Sequence, residues 1–338
     1  MKILLKKAVL ALTAATLLMA PASYAGAQEV TIGYQGICNP WKWKIDDGSV
    51  EKATGYKINW RKFDSGGAVM NAMASGDVHV AVAGSSPIAA GVTNGVDVQV
   101  FWVLEDIAAA EALVVRDGSG IVSPQDMKGK TIGVPFVSTT HFHMLFALEQ
   151  FGINPKDVDI RNMQPNAIAS AWEGGQIDGA FVWDPALGRI KKTGKVLITS
   201  GQLSSWGKAT FDGMVVDTKW GKANSEFMAK LVKVIDEANE DYRTNPDSWT
   251  PSSAKVKATE KLSGCNPQDV PGIIALFGLP NLEEQASNAW LGGGKSGGVG
   301  KALFFTSDFL KNQKKVDKLQ NDYGDFVTNA YVKAAINL

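Results

Sequence analysis

The sequence contains few of the side chains that hold transition metals, with three histidines and two cysteines in 338 residues. A zinc site of the usual kind needs three or four such ligands converging on one point. His141 and His143 are two residues apart, and side chains at that spacing face different directions on a helix. His79 is the third histidine of the sequence. These counts and spacings predict no metal site.

An excess of charge of one sign is also absent from the sequence. The chain has 34 lysines and arginines and 34 aspartates and glutamates. Proteins that bind nucleic acids through the phosphate backbone usually carry a clear basic surplus. The balance of charges therefore predicts a protein that does not bind nucleic acids.

Long apolar runs are missing everywhere except near the start of the chain. There, three lysines within the first seven residues precede an apolar run over residues 8–20, and Ala25-Gly26-Ala27 fits a small-residue cleavage site. We expect residues 1–27 to be a secretory signal peptide and the mature protein to be soluble in the periplasm. No cysteine lies near the cleavage site, so a lipid anchor is not expected.

Signatures of catalysis and of nucleotide binding are weak. Ser138, His141 and Asp184 supply the residue types of a nucleophilic triad, but no Gly-x-Ser-x-Gly elbow surrounds Ser138. Gly294-Lys295-Ser296 resembles the end of a phosphate-binding loop, yet the position of its first glycine is Ala289. The sequence therefore predicts a protein without cofactors that is not an enzyme. An exported hydrolase using Ser138 or Cys38 stays as a lesser alternative.

The two cysteines, Cys38 and Cys265, are far apart in the sequence and both lie near prolines that indicate turns. Export permits a disulfide between them. Two free, buried thiols explain the same sequence equally well.

Strand-like and helix-like segments alternate along the chain, which predicts an α/β protein. We expect two lobes, each a mixed and mostly parallel sheet covered by helices, with two crossing strands as the hinge. The first lobe is predicted to contain residues 28–116 and 213–338, with a helical C-terminal part. The second lobe is predicted to contain residues 117–212.

Three predicted strands run into helix starts that are rich in hydroxyl or capping groups. Gly84-Ser85-Ser86-Pro87 follows one strand, residues 137–141 follow another, and Asp184-Pro185 follows a third. Such junctions present free backbone N–H groups at the positive end of a helix dipole, which is a suitable place for an anion. Ligands of open α/β sheets also lie beyond the carboxyl ends of the strands. Each junction is equally typical of a routine helix cap, but together they predict a site for a small charged molecule.

Five segments, in this order along the chain, resemble the taurine-binding periplasmic proteins of ABC importers. They are residues 60–66 (WRKFDSG), 84–87 (GSSP), 134–141 (VPFVSTTH), 178–183 (DGAFVW) and 206–212 (WGKATFD). The resemblance implies a type II periplasmic binding-protein fold and capture of taurine or a related small sulfonate, and we expect the protein to be a monomer. It also implies delivery to a membrane permease that a cytoplasmic ATPase drives.

On this resemblance, the ligand site would combine hydrogen-bond donors for the sulfonate with an acid for the ammonium group. The expected donors are Ser85, Ser86, Ser138, Thr139 and Thr140. The expected acid is Asp212, because a charged pair in a closed cleft is among the stronger contacts available. Trp183 is expected to form a flat apolar wall, and the further candidates are Gln35, Asn39, Asp64 and His141.

Two points about this site stay open from sequence. Asp184 is either a second acceptor for the ligand's amine or a cap of the helix that begins at Pro185. The ligand is either an aminosulfonate or another small charged molecule such as an amino acid, a quaternary amine or nitrate.

Overall fold

The computed structural model describes residues 28–338, so the predicted signal peptide lies outside the described residues. The chain forms two five-stranded sheets. The first sheet contains β1 (Glu29–Gln35), β2 (Lys57–Phe63), β3 (Val80–Gly84), β4 (Val98–Asp106) and β10 (Phe211–Asp217), in the order β2-β1-β3-β10-β4. The second contains β5 (Glu111–Arg116), β6 (Thr131–Val134), β7 (Asp159–Asn162), β8 (Gly179–Trp183) and β9 (Gly194–Thr199), in the order β7-β6-β8-β5-β9.

Each sheet is mixed in the same way. Four strands run in one direction, and one reversed strand lies between the last two. The reversed strand is β10 in the first sheet and β5 in the second, and each of them enters directly from the other lobe. The antiparallel pairs are therefore the places where the chain crosses between lobes, and the predicted two-lobed fold is confirmed.

The sheet pairing corrects the predicted lobe boundaries. The strand that ends at Arg116 was expected in the first lobe, but β5 pairs with β8 and β9 of the second sheet. The first crossing therefore lies between Asp106 and Glu111. Phe211 and Asp212 already belong to β10 of the first sheet, so the second crossing also comes slightly earlier than predicted. A single apolar strand carries no local signal of which sheet it joins, which explains the difference.

Within the described residues, fifteen α-helices surround the two sheets. They are α1 (Lys42–Asp46), α2 (Ser49–Thr54), α3 (Gly66–Ala74), α4 (Ser85–Thr93), α5 (Thr139–Gln150), α6 (Pro165–Glu173), α7 (Ala186–Ile190), α8 (Ser200–Ser205), α9 (Thr218–Ala223), α10 (Ser225–Thr244), α11 (Ala254–Ser263), α12 (Val270–Ile274), α13 (Leu282–Ala286), α14 (Gly298–Asn312) and α15 (Ala330–Ile336). Short 3₁₀ turns occur at Pro124–Met127, Pro155–Asp157, Lys191–Thr193, Pro246–Ser248, Gly294–Ser296 and Tyr323–Phe326.

The second sheet is buried on both faces, because successive side chains of a strand point to opposite sides. Leu113 of β5 packs into a cluster with Phe142 and Phe181, whereas its neighbour Val114 packs into another with Trp172. Phe309 of α14, from the C-terminal part of the chain, joins the first of these clusters, with its ring centroid 5.1 Å from that of Phe142. The C-terminal helices therefore contact both lobes.

Cys38 and Cys265 form a disulfide, which closes a sequence separation of 227 residues. Both cysteines are buried in a small cluster with Trp249 and Val256. The bridge ties the loop after β1 to the loop after α11 within the first lobe, and it resolves the alternative that the sequence left open.

Within residues 28–338, every helix falls short of the length and apolar character that crossing a bilayer requires. The same residues contain no group of three or more His, Cys, Asp or Glu side chains arranged to hold a metal ion.

Candidate ligand-binding site

A narrow cavity lies between the two lobes, where the carboxyl ends of the strands meet. The first lobe contributes Gln35 at the end of β1, Gly84 at the end of β3 and Asp212 of β10. The second lobe contributes residues around the starts of β5 and α5 and the end of β8. The full lining is Gln35, Ile37, Gly66, Gly84, Pro87, Ile107, Glu111, Ser138, Thr139, Trp183, Asp212 and Phe277.

Two helices from opposite lobes begin at this cavity. Gly84 precedes α4 and Ser138 precedes α5, and both residues line the cavity. The first N–H groups of a helix have no partner within it, and the helix dipole is positive at that end. The cavity therefore offers an anion two sets of backbone donors, one from each lobe.

The predicted hydroxyl groups differ in their hydrogen-bond partners at these helix starts. The Ser138 Oγ accepts a hydrogen bond from the His141 N–H at 3.1 Å and lies 2.7 Å from the Thr140 Oγ1, so both hydroxyls stabilise the start of α5. The Ser85 Oγ accepts the Phe211 N–H at 3.4 Å. Ser86 is buried, and its Oγ has no hydrogen-bond partner in the described part of the chain. Of the five predicted donors, Ser138 and Thr139 line the cavity.

The two lobes come into close contact at Gly84. A Cβ atom at this position would lie 2.9 Å from the Thr139 Cγ2 of the opposite lobe and 3.3 Å from the Asp212 Oδ1. The backbone of Gly84 is extended, with φ −66° and ψ 156°, so any residue could adopt its conformation. The glycine is therefore required by the close contact between lobes rather than by backbone conformation.

Asp212 belongs to a buried polar cluster in the first lobe. It is opposite Gly84 on one neighbouring strand and opposite the buried Glu105 on the other. The Asn39 Nδ2 donates to Glu105 at 3.0 Å, and the Lys42 Nζ donates to the Asn39 Oδ1 at 3.0 Å. The Asn39 amide therefore connects the buried Lys42 ammonium to the buried Glu105 carboxyl group, which lies opposite Asp212.

Burial governs the protonation of this cluster, because it disfavours the charged form of each group. Burial raises the pKa of Asp212 to about 7, although the nearby Lys42 charge opposes the rise. Burial and the charge of Asp212 raise the pKa of Glu105 well above its ordinary value. Burial lowers the pKa of the Lys42 ammonium to about 7. A ligand cation in the cavity would favour the ionised form of Asp212.

A third buried acid, Glu111, faces the cavity from the second lobe. Its Oε1 accepts a hydrogen bond from the Thr139 hydroxyl at 2.5 Å, and its Oε2 lies 3.1 Å from the Ser200 Oγ. Burial raises the pKa of Glu111 to about 8. Glu111 thus connects the start of α5 to the start of α8.

Several predicted site residues lie elsewhere. The Asp184 Oδ1 accepts the Gly188 N–H at 2.7 Å, so Asp184 caps α7 and borders a different groove that also contains Cys265. Asp64 was predicted as a further site residue, but it is exposed and does not line the cavity. His141 is buried behind the cavity, where its Nδ1 accepts the Val137 N–H at 3.2 Å and its ring stacks on Phe136. Asn39 bonds Glu105 and Lys42 rather than facing the cavity.

Sequence reasoning missed Lys42, Glu105 and Glu111. Glu105 lies near the end of an otherwise apolar strand, VQVFWVLED, and Glu111 begins another, EALVVR. Burying an acid costs free energy unless it has hydrogen-bond or charge partners. An acid within an apolar strand could therefore have identified these two positions as candidate site residues. Lys42 carried no such signal, because a lysine in a short helix is usually exposed.

Comparisons with known proteins agree with this architecture. A family model described as NMT1/THI5 like matches residues 52–248. The chain is 40% identical over 309 residues to the taurine-binding periplasmic protein of Escherichia coli (strain K12), covering 91% of this chain and 94% of that protein. It is 27% identical over 343 residues to a putative aliphatic sulfonates-binding protein of Bacillus subtilis (strain 168), covering 98% and 97%.

A solved structure shows the same fold. The alkanesulfonate-binding protein SsuA from Xanthomonas axonopodis pv. citri, bound to MOPS, superposes with a TM-score of 0.70 at 20% identity. The match covers 87% of this chain and 96% of that chain. The resemblance that the sequence segments indicated is confirmed, and the chain belongs to the NMT1/THI5-like family and has the two-lobed fold of periplasmic binding proteins.

Proposed function

We propose that this protein captures taurine or a related small aminosulfonate in the periplasm and delivers it, as a monomer, to the membrane permease of an ABC importer. The observation that carries the proposal is the arrangement around the interlobe cavity. Two helix starts supply donors for an anion, and the buried carboxyl group of Asp212 lies beside one of them. An aminosulfonate has an anionic and a cationic end separated by two carbons, which matches this pairing of groups.

The sulfonate is assigned to the starts of α4 and α5. Its three oxygens can accept several N–H bonds at once, and a helix N-terminus favours negative charge without needing a basic side chain. The described residues that line the cavity include no lysine or arginine. The hydroxyls of Thr139 and Ser138 already donate to Glu111 and to the Pro135 carbonyl oxygen, so the backbone N–H groups of the two helix starts supply the recognition of the anion.

The ammonium group is assigned to Asp212. The carboxylate form of this residue is disfavoured by burial, and a cation in contact with it reverses that effect. Trp183, which is partly exposed at the cavity, supplies an apolar wall for the two carbons. Closure of the lobes then removes the ligand from water, which strengthens the charged contacts.

The function is tested by calorimetric titration with a ligand panel. We expect taurine to bind with a Kd of about 1 μM or tighter, corresponding to about −8 kcal/mol. Ethanesulfonate lacks the ammonium group and β-alanine lacks the sulfonate, and we expect both to bind at least about ten-fold more weakly, a loss of about 1.4 kcal/mol. Recovery of taurine unchanged after incubation would agree with a carrier rather than a hydrolase.

Two variants make the test specific to the site. Asp212→Asn removes the ligand-facing charge, and we expect it to weaken taurine binding by about 2 kcal/mol or more. Asp64→Asn is the matched control, because Asp64 is exposed and lies outside the cavity lining. Equal losses in the two variants, or tighter binding of an amino acid, a quaternary amine or nitrate than of taurine, would contradict the proposal.

A further inference from the structure

A continuous chain of hydrogen bonds runs from the cavity into the second lobe. It begins at the Thr139 hydroxyl, which donates to the Glu111 Oε1 at 2.5 Å. The Ser200 Oγ lies 3.1 Å from the Glu111 Oε2 and 2.8 Å from the His143 Nδ1. The His143 Nε2 lies 2.7 Å from the Lys208 carbonyl oxygen. Glu111, Ser200 and His143 are all buried, so water does not replace these partners.

The number of hydrogen atoms in this chain is fixed by its two ends. A carbonyl oxygen can only accept, so the His143 Nε2 must carry a hydrogen and donate it to Lys208. A neutral imidazole has one N–H group, which leaves the Nδ1 as an acceptor. The Ser200 hydroxyl must then donate its single hydrogen to the His143 Nδ1. The Ser200 Oγ can complete its contact with Glu111 only by accepting a hydrogen from the Oε2.

The same hydrogen count would also be met by an imidazolium at His143 and a carboxylate at Glu111. The surroundings decide between these two states. The rings of Phe142 and Phe181 flank His143, with centroids 5.4 Å and 6.3 Å from it. Burial disfavours the imidazolium form of His143, and no acidic side chain of the described residues is among the groups that oppose this effect.

The groups that face Glu111 favour the same state. From the first lobe, Asp212 is the charged group that acts on it, and this negative charge opposes a second one. From α5 and α8, Thr139 and Ser200 face it with neutral hydroxyls. In agreement, burial raises the pKa of Glu111 to about 8 and lowers that of His143 to about 4.

We infer that Ser200 and His143 hold Glu111 as a neutral carboxylic acid, so that an anion can occupy the start of α5 beside Thr139. Glu111 is thus a positioning residue that orients the Thr139 hydroxyl without adding negative charge next to the anion. The role of this neutral acid in binding rests on the proposed function, whereas its protonation rests on the hydrogen-bond count together with the buried surroundings of His143 and Glu111. A carboxylate at Glu111 would repel a sulfonate at the adjacent helix start.

The protonation is tested by infrared difference spectroscopy on the ligand-free protein. We expect wild type at pH 7 to show a carboxylic-acid carbonyl band that Glu111→Gln lacks. Glutamine is the matched replacement, because its amide can accept from Thr139 and donate to Ser200 as the neutral acid does. Identical spectra in this region would overturn the inference, and this outcome does not depend on whether taurine binds.

A second measurement needs no variant. Nitrogen NMR of the imidazole side chains distinguishes neutral from doubly protonated rings, and three histidines make assignment practical. We expect His143 at pH 7 to be neutral with its hydrogen on the Nε2. An imidazolium at His143, or a hydrogen on the Nδ1 alone, would overturn the inference.

The consequence for binding appears in the pH profile of taurine affinity. At pH 9, one unit above a pKa of about 8, roughly one tenth of Glu111 remains protonated, so wild type should lose about ten-fold in affinity from this residue. Glu111→Gln should lack this alkaline loss, while deprotonation of the ligand's amine affects both proteins equally. Superimposable profiles for the two proteins would contradict the role assigned to Glu111.

Discussion

Asp212 and Glu105 lie opposite each other on the adjacent strands β10 and β4, and both carboxyl groups are buried. Burial raises the pKa of both groups, and repulsion by the negative charge of Asp212 raises the pKa of Glu105 further, so at least one of the two acids holds a proton near neutral pH. The ligand-free cluster therefore stores a proton at the place where the proposed ligand brings its ammonium group. Because the ligand's ammonium group would replace this proton, ligand binding should depend on pH.

Asp212→Asn should stabilise the ligand-free protein at neutral and alkaline pH. The pKa of Asp212 rises from its ordinary 3.8 to about 7 in the folded protein. Its ionisation therefore opposes folding by an amount that is absent below pH 4 and complete above pH 7. Asparagine cannot ionise, so urea unfolding at pH 8 should show a gain on the order of 2 kcal/mol.

The same gain should vanish as the pH approaches 4, where the aspartate is protonated in both the folded and unfolded states. Asp64→Asn, at an exposed position, should show no such pH-dependent gain. A variant that weakens ligand binding while stabilising the fold is expected at a site shaped by function. Equal or lower stability of Asp212→Asn at pH 8 would show that the buried charge is better compensated than the cluster suggests.

Lys42→Met should move the pH profile of aminosulfonate binding. The positive charge of Lys42 lowers the pKa of Asp212, so its loss keeps Asp212 protonated to higher pH. Affinity at pH 7 should fall about ten-fold, the effect of about one unit of pKa, and the difference from wild type should narrow at pH 9. Methionine keeps an apolar stem near the rings of Tyr34 and Trp41, which the Lys42 Nζ approaches at 5.5 Å and 5.0 Å.

Lys44→Met is the control for this measurement, because it lies on the same helix. The Lys44 Nζ pairs with Glu237 at 3.2 Å and does not contact the acids of the cavity. Both variants should be titrated with taurine from pH 6 to pH 9. A uniform loss of affinity at every pH in Lys42→Met would indicate damage to packing instead of a shifted titration.

Gly84→Ala should weaken binding without unfolding the lobes. The added Cβ would lie 2.9 Å from the Thr139 Cγ2, which is too close for two carbon atoms, so the lobes could not close fully. We expect at least about a ten-fold loss of taurine affinity, while the unfolding free energy stays within about 1 kcal/mol. Calorimetric titration and urea unfolding measure the two quantities separately.

Gly67→Ala is the matched control, since a Cβ there would meet no heavy atom within 4 Å. Its affinity should equal that of wild type. Full affinity in Gly84→Ala would show that the bound state holds the lobes further apart than they are here.

Much of the fold could be predicted because its signals are local. Alternating and apolar runs located β1, β3 and β8, and the hydroxyl-rich junctions located the starts of α4 and α5. The partner of β5 could not be found in this way, since pairing depends on contacts with Gly179 and Gly194, far along the chain. Sequence therefore gives the elements of such a fold more readily than the point where the chain changes lobe.

The residues of the candidate site also differ in whether a local sequence pattern identifies them. Ser138 and Thr139 have the local pattern of a helix start, and Asp212 was reached through the family resemblance. The Glu105–Asp212 pair joins positions that are distant in sequence, and the link between Glu111 and Ser200 does so too. Asp184 differs from these pairs, because one of its two predicted roles was local. That role, capping a helix, is the one observed.

The disulfide between Cys38 and Cys265 covalently joins the two chain portions that build the first lobe. Every residue of the second sheet lies between these two positions, so the whole moving lobe is an insert within a ring that the first lobe locks. The two chain portions that build the first lobe cannot drift apart while the second lobe swings. Any opening or closing must therefore take place at the two connections between the sheets and at the packing of Phe309 against Phe142, while the disulfide keeps the first lobe in one piece.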